Sequence, residues 1–332
     1  MQIEENILLA PYTTFKIGGP ARFFACVKSV GELVQALTFA KEKKLKVFIL
    51  GGGSNVLIDD GGFDGLVVKV EIAGVEEKDT TLVAGAGESW DALVERAVQK
   101  KLWGIENLSG IPGTVGGAVV QNIGAYGAAL SQTLIWVEVY DTTAGKVTRL
   151  AASECQAGYR DSVFKREPGH YVVLRVSLAL SAKKAPHIAY KDLAARFAGQ
   201  TPTLPEIRSA VLAIRKDKFP NLAEEGTAGS FFKNPIMPFA EAEKLKARYP
   251  KLPLFPMPEV AGIKVPLAWL LDHALAMHGT HVGGARLFER QPLVIAAQKN
   301  SSSADVKKLG RLVQEKVRTT LNIEIEPEVT IV

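Results

Sequence analysis

Residues 110–127 read Gly-Ile-Pro-Gly-Thr-Val-Gly-Gly-Ala-Val-Val-Gln-Asn-Ile-Gly-Ala-Tyr-Gly, and six of these eighteen are glycine. Glycine inside a buried element costs about 0.5–1 kcal/mol against alanine. Such density implies backbone that turns sharply, or that lies against a ligand where a Cβ would intrude. A second run, Gly51-Gly52-Gly53-Ser54-Asn55, directly follows the apolar residues 47–50. A strand followed by a turn of exposed N–H groups makes a nest for phosphate. Two nests in one chain point to a large phosphate-bearing cofactor rather than to a small substrate alone.

Around the first nest the chain reads as β-α-β. A helix with Leu33, Ala36, Leu37 and Ala40 on one face precedes strand 46–50, and residues 66–70 form another strand. A boundary near residue 71 follows. Strand 82–86 leads into a helix that turns Leu93, Val94, Ala97 and Val98 inward, and strands are expected at 134–140 and 171–180, with a hairpin turn at 143–146. Residues 199–205, Gly-Gln-Thr-Pro-Thr-Leu-Pro, are dense in turn residues and read as a linker. Beyond it, helices are expected to open near Pro205, Pro238, Pro266 and Ser303. The proline-rich stretch 252–258 reads as a stiff surface loop. The tail 323–331 alternates apolar and polar residues and predicts a strand with Glu324, Glu326 and Glu328 on one face, roughly 6.6–6.8 Å apart. That face is either solvated or aims one carboxylate into a site, and alternation does not say which.

The bulk composition narrows the function. A chain of 332 residues with 47% hydrophobic and 23% charged residues supports two or three packed domains. The net charge of +5 leans toward anionic partners, but no long basic run or aromatic-interleaved stripe argues for nucleic acid. Cys26 and Cys155, the only cysteines, exclude a disulfide framework and a cysteine-based zinc site. The acidic start Met-Gln-Ile-Glu-Glu-Asn shows no secretory leader, and no stretch approaches 18 uninterrupted apolar residues. A cytoplasmic protein is expected, without a membrane partner.

Several signatures are missing. Neither nest ends in Gly-Lys-Ser/Thr, so there is no ATP-hydrolysing P-loop. Gly85-Ala-Gly87 has Trp90 where the dinucleotide fingerprint needs glycine, and Ser54 lacks the last glycine of a hydrolase elbow. His273, His278 and His281 do not stack as a ligand pair on one helix face, so no metal is expected. Ser230, between Gly229 and Phe231-Phe232, suits a dry pocket wall or an ordinary turn. Arg160 is placed to fork a carboxylate or to pair at the surface.

The ordered set Gly-Gly-Gly-Ser-Asn-Val-Leu (51–57), Ile-Pro-Gly-Thr-Val-Gly-Gly (111–117), Gln-Asn-Ile-Gly-Ala-Tyr-Gly (121–127), Gly-Tyr-Arg-Asp-Ser-Val-Phe-Lys (158–165), Ala-Gly-Ser-Phe-Phe-Lys-Asn-Pro (228–235) and Glu-Pro-Glu-Val (326–329) resembles the UDP-N-acetylenolpyruvoylglucosamine reductases, flavin enzymes of peptidoglycan precursor synthesis. The resemblance runs over nearly the whole chain, and Tyr190 is similar to the substrate-loop tyrosine of the longer subtype. It implies an α+β chain: a two-subdomain FAD-binding fold of the vanillyl-alcohol oxidase-like type (residues 1–70 and 71–203) and a third, substrate-binding α+β domain (204–332) whose C-terminal strand returns to the active site. It implies non-covalent FAD, reduced by NADPH, and a UDP-sugar substrate that then takes the place of NADPH. By resemblance, Gly51, Gly53, Ser54, Asn55, Pro112, Gly113, Gly116, Gly117, Ala118, Asn122 and Gly124 hold the cofactor. Tyr126, Tyr159, Tyr190, Lys218, Asn234 and Gln291 hold the substrate. Arg160, Ser230 and Glu328 match the catalytic positions, with Ser230 as proton donor aided by Lys218, and Glu328 protonated or bridged so that it stabilises a developing anion. Lys233 and Arg215 are compatible with nucleotide phosphates. Thr330 stands where the family often has arginine, and Phe255 where some relatives have tyrosine. Another FAD-linked oxidoreductase and a non-enzymatic sugar-nucleotide binder are the alternatives, and a monomer is expected.

Overall fold

The computed structural model describes residues 1–332. The chain forms two compact units that interleave in sequence. The first comprises Met1–Leu8, Pro20–Gly53 and Gly62–Lys216; the second comprises Leu9–Gly19, Ser54–Gly61 and Asp217–Val332.

The first unit holds a four-stranded sheet in the order Glu4–Leu8, Pro20–Val27, Phe63–Val70, Lys46–Leu50. The last three run parallel, with Ala25 and Ile49 both paired to Val68. Helix Val30–Glu42 makes the crossover. Ser29 caps it by accepting from the Glu32 amide, and it buries Leu33, Ala36 and Ala40 at helical spacing. A five-stranded antiparallel sheet follows, in the order Lys146–Ala151, Leu134–Asp141, Tyr171–Ala179, Thr81–Gly85, Val75–Lys78. Its hairpin at 141–146 closes because Asp141 accepts from the Thr143 and Ala144 amides. Helix Trp90–Gln99, capped by Ser89, packs Leu93, Val94 and Ala97 into one apolar core with Leu66, Val68, Val137 and Val176. Each fully buried leucine or valine among them contributes about 1.5–3 kcal/mol.

The glycine-rich run is not one continuous loop. Thr114 caps a short helix, Val115–Gln121, that ends at Asn122 in the left-handed region, φ 41°. The two glycine runs touch main chain to main chain. A Cβ built on Gly52 would lie 2.6 Å from the Gly113 Cα, and one on Gly51 would lie 2.8 Å from the Thr114 hydroxyl.

The second unit contains two small antiparallel sheets. One has the order Ile236–Met237, Gly262–Lys264, Phe255–Met257; the other has His281–Val282, Ala285–Phe288, Gln291–Ala297. Helix Ser303–Leu321 opens with a reciprocal cap between Ser302 and Asp305, and buries Val306, Leu309, Val313 and Val317. Phe15, Phe231, Phe232 and Leu57 share its core. The helix near Pro266 is brief: Leu267–Trp269 widens into the π-helical turn Leu270–Ala274.

Two expectations are corrected here. The stretch 252–258 is not simply a surface loop, since Leu252 is fully buried and Phe255–Met257 is a strand. That strand lies at a sheet edge, where Pro256 can lack an N–H without breaking a ladder. The tail is not a continuous strand from 323 to 331: only Thr330–Ile331 pairs as one, parallel to Val56–Leu57. Pro327 interrupts it, leaving an isolated bridge between Phe232 and Pro327.

The contact between the glycine runs predicts a sharp asymmetry. Gly52→Ala must push backbone from backbone and is expected to destabilise by about 1–3 kcal/mol. A Cβ on Gly61 would meet nothing within 4 Å, so Gly61→Ala is expected to stay within about 0.5 kcal/mol of wild type. Thermal unfolding of the two variants checks this.

Candidate active site

In the first unit the candidate cofactor residues lie on the two glycine runs, which meet at Gly51, Gly52, Gly113 and Thr114. Gly53 and Gly113 occupy positive φ, 63° and 116°, which a side-chain-bearing residue adopts only with strain. Gly116 packs on Ala86, whose Cβ would sit 2.9 Å from an added Cβ. Gly117 differs, since an added Cβ there would come no closer than 3.6 Å to the protein. Its amide is turned to the Thr114 hydroxyl, 3.4 Å away. Ala118 is buried and Pro112 is exposed. Asn122 is buried with both amide ends on main chain, donating to the Gly158 carbonyl at 2.8 Å and accepting from the Ser131 amide at 3.0 Å.

That bond brings the Tyr159-Arg160 segment to the glycine-rich run. Arg160 adopts φ 55° and donates from Nη2 to the Gly124 carbonyl at 2.5 Å, with its guanidinium 5.4 Å from the Tyr159 ring. An alanine at 124 would press its Cβ to 3.0 Å from Arg160 Nη1, so this glycine makes room for the arginine. Tyr126 is buried at φ 50°, and burial pushes its phenol up to about 12 despite a hydrogen bond to Arg215. Its ring meets that of Tyr190 edge to face, centroids 5.4 Å apart.

Sequence reasoning missed what holds this arrangement. Asp91 accepts from the Gly110 amide at 2.6 Å and is gripped by Arg208 through two bonds of 2.6 and 2.9 Å. Arg215 donates to the Gly110 carbonyl at 2.9 Å. Both polar groups of Gly110 are therefore held, and through Arg215 so is Tyr126, at the far end of the run. Asn107 donates to the carbonyls of Tyr126 and His187 at 2.8 and 2.7 Å, tying the Tyr190-bearing segment to the same run. No local motif announces Asp91, Asn107 or Arg208. Arg215, grouped above with the phosphate-compatible cations, is here engaged with Gly110 and Tyr126.

In the second unit, Ser230 bridges to Val294 while the Phe231 amide donates to Leu293 at 2.8 Å. On the other side of the same segment, the Glu328 amide donates to the Phe231 carbonyl at 2.8 Å and the Lys233 amide to the Glu326 carbonyl at 3.0 Å. Ser230 and Glu328 thus sit on adjacent antiparallel segments. Asn55 Nδ2 donates to the Glu328 carbonyl at 3.1 Å. Burial separates the three carboxylates that alternation left equal. Glu324 and Glu326 are exposed, Glu326 pairs with Lys233 at 3.1 Å, and Glu328 is half-buried. Asn234 accepts from the Leu267 amide at 2.9 Å. Ser54, Tyr159, Lys218 and Gln291 are half-buried, and Gln291 opens the strand Gln291–Ala297. His273 stacks on Trp269, and Asp272 lies between His273 and His278.

The chain is 38% identical over 342 residues to the UDP-N-acetylenolpyruvoylglucosamine reductase of Ralstonia nicotianae, covering 99% of both chains. The chain belongs to this reductase family. The reductase of Escherichia coli strain K12 is 37% identical across 98% of this chain and 95% of its own length. A solved structure, the UDP-N-acetylenolpyruvylglucosamine reductase of Thermus caldophilus, superposes with a TM-score of 0.71 at 26% identity and covers 100% of this chain and 99% of that one. Family models agree: an FAD binding domain matches residues 21–151, and the C-terminal domain of UDP-N-acetylenolpyruvoylglucosamine reductase matches 221–332. No helix in this family member is long and apolar enough to cross a membrane.

The Asp91 clamp has a pH signature. Burial opposes its ionisation, but the Arg208 guanidinium and the Gly110 amide outweigh burial and hold the carboxyl below its ordinary value of 3.8. A depressed folded pKa stabilises fully above the unfolded value, and that contribution is lost as pH falls through the folded one. Asp91→Asn is therefore expected to flatten the acid limb of stability below about pH 4. It should also speed hydrogen exchange at the Gly110 amide severalfold; pH-dependent melts and amide exchange check both.

Proposed function

We propose that this chain reduces the enolpyruvyl group of UDP-N-acetylenolpyruvoylglucosamine to give UDP-N-acetylmuramate, an NADPH-dependent step of peptidoglycan precursor synthesis carried out through non-covalently bound FAD. Membership of the reductase family over the full length supports the reaction. The chain's fit to FAD rests on the FAD binding domain matched over residues 21–151 and on the side-chain-free backbone at Gly117, where an added Cβ would come no closer than 3.6 Å to the protein. Gly51, Gly53, Ser54, Asn55, Pro112, Gly113, Gly116, Gly117, Ala118, Asn122 and Gly124 would hold the cofactor. When bound, FAD supplies two-electron chemistry, taking hydride from NADPH and giving it to the substrate.

The protein's own part is to manage charge and a proton. Hydride addition to one alkene carbon builds negative charge toward the substrate carboxylate. Groups placed beforehand where that charge appears are worth most in a water-poor site. Arg160, oriented by its bond to Gly124, and the half-buried Glu328, protonated or bridged so that it does not repel the new charge, fill that role in this reading. Ser230 gives its hydroxyl proton to the other alkene carbon, so that one hydride and one proton saturate the double bond. Lys218 supports the alkoxide that Ser230 becomes. Tyr126, Tyr159, Tyr190, Asn234 and Gln291 bind the sugar nucleotide. The observation that carries the reading is the direct pairing of the Ser230 and Glu328 segments through the Phe231–Glu328 main-chain bond. We assign residues 1–70 and 71–203 to cofactor binding and 204–332 to substrate binding, in a cytoplasmic monomer.

Half-reactions test this. NADPH should bleach the yellow enzyme without oxygen, and the enolpyruvyl sugar nucleotide, not a lactate-type alcohol, should govern recolouring. Ser230→Ala should leave bleaching within twofold of wild type and slow recolouring about 10²–10⁴-fold. Recolouring at full speed in that variant would remove Ser230 as the proton donor.

A further inference from the structure

We propose that Ser303 and Asp60, supported by Asp59 and Lys307, are positioning residues for Glu328. The inference rests on the reading of Glu328 as the carboxyl group that acts on the substrate. Glu328 lies in a tail whose regular pairing is a two-residue parallel match, Thr330–Ile331 on Val56–Leu57. So short a pair does not hold its own register. The Glu328 amide is held on the Phe231 carbonyl, and the other side of the tail is held through the segment of residues 55–60 and the side chains that fix it.

The connection is an unbroken hydrogen-bonded ladder within the second unit. The Glu328 carbonyl accepts from Asn55 Nδ2 at 3.1 Å, and the Asn55 carbonyl accepts from the Thr330 amide at 3.0 Å. The Leu57 carbonyl accepts from the Val332 amide, and the Val332 carbonyl from the Asp59 amide, each at 2.9 Å. Asp59 and Asp60 then grip the start of helix Ser303–Leu321. Asp60 accepts from the Ser303 amide at 2.9 Å and the Ala304 amide at 3.3 Å, while its own amide donates to Ser303 Oγ at 3.0 Å. Ser303 Oγ lies 2.8 Å from both Asp59 Oδ1 and Asp60 Oδ2. Lys307 pairs with Asp59.

Capping explains only part of this cluster. Asp60 takes the Ser303 and Ala304 amides of the first turn and Ser302 takes that of Asp305, but none of these helix amides uses the Ser303 hydroxyl. Ser303 is nevertheless fully buried, with two adjacent carboxylates converging on its hydroxyl. Neighbouring like charges are unfavourable, and a single hydroxyl proton serves one of them at a time. The arrangement fixes residues 55–60 to a long helix packed in the core, and through them the main chain of Glu328. A carboxyl group displaced by about 1 Å loses on the order of 10²-fold in rate, so such a mount has kinetic value.

The test uses full-length enzyme loaded with FAD and follows the two half-reactions separately. In Ser303→Ala and Asp60→Asn, bleaching by NADPH is expected to stay within twofold of wild type. Recolouring by saturating enolpyruvyl sugar nucleotide should slow roughly 10- to 100-fold, lowering kcat with little change in KM. Lys307→Ala should show a smaller loss of the same kind and Lys307→Arg should recover it; this pair carries the test if the buried variants do not fold. A merely structural cluster would lower the melting temperature and leave both half-reactions alone, or weaken both equally, and either result overturns the proposal. Glu328→Ala is run beside them. If it recolours normally, the reading of Glu328 itself fails. If it is slow while the clamp variants are normal, only the positioning inference falls.

Discussion

Main chain can press this closely on main chain only where no Cβ stands between, and Gly52 meets Gly113 under that constraint. Much of the first unit is arranged around this contact. Strand Lys46–Leu50 delivers one glycine run, Thr114 caps the helix that leads the other away, and Asp91 with Arg215 holds Gly110 at its mouth. The glycines therefore answer to two demands at once. Gly51, Gly52 and Gly116 are required by neighbouring protein atoms, whereas Gly117 has room that the protein does not fill. Glycine count alone does not separate these demands.

The candidate catalytic groups are mounted in different ways. Arg160 sits on a strained residue of positive φ, and its guanidinium is aimed by a main-chain carbonyl of the glycine-rich run. Ser230 and Glu328 sit on irregular extended segments, held by single bridges rather than by a broad sheet. Irregular backbone leaves side chains free of a strict alternation, and this lets a half-buried carboxyl stand beside exposed ones two residues away. Its cost is that each segment needs outside support.

What was legible in the sequence follows the range of the interaction. Strand Lys46–Leu50, helices Val30–Glu42 and Trp90–Gln99, and the hairpin at Asp141 are all written in local periodicity and capping residues, and they stand where the pattern puts them. The tail misled because its alternation is real while Pro327 denies it a ladder. The stretch 252–258 misled because proline density masked an edge strand and a buried Leu252. The Asp91–Arg208 pair, 117 residues apart, leaves no local trace. Motif resemblance, not periodicity, singled out Glu328, which is half-buried where Glu324 and Glu326 are exposed.

Residues 54–61 belong to the second unit although their neighbours on both sides belong to the first. Asn55 and Glu328 are bonded across 273 positions. During synthesis, residues 54–61 therefore emerge long before the tail that pairs with them. The first unit can gather its core while the ribosome is still working, but the second must wait with an unmated segment until residues 328–332 appear. Closing so distant a contact is slow, and in the interval residues 56 and 57 offer bare strand edges to other chains. The second unit is therefore the part of the fold that is completed last.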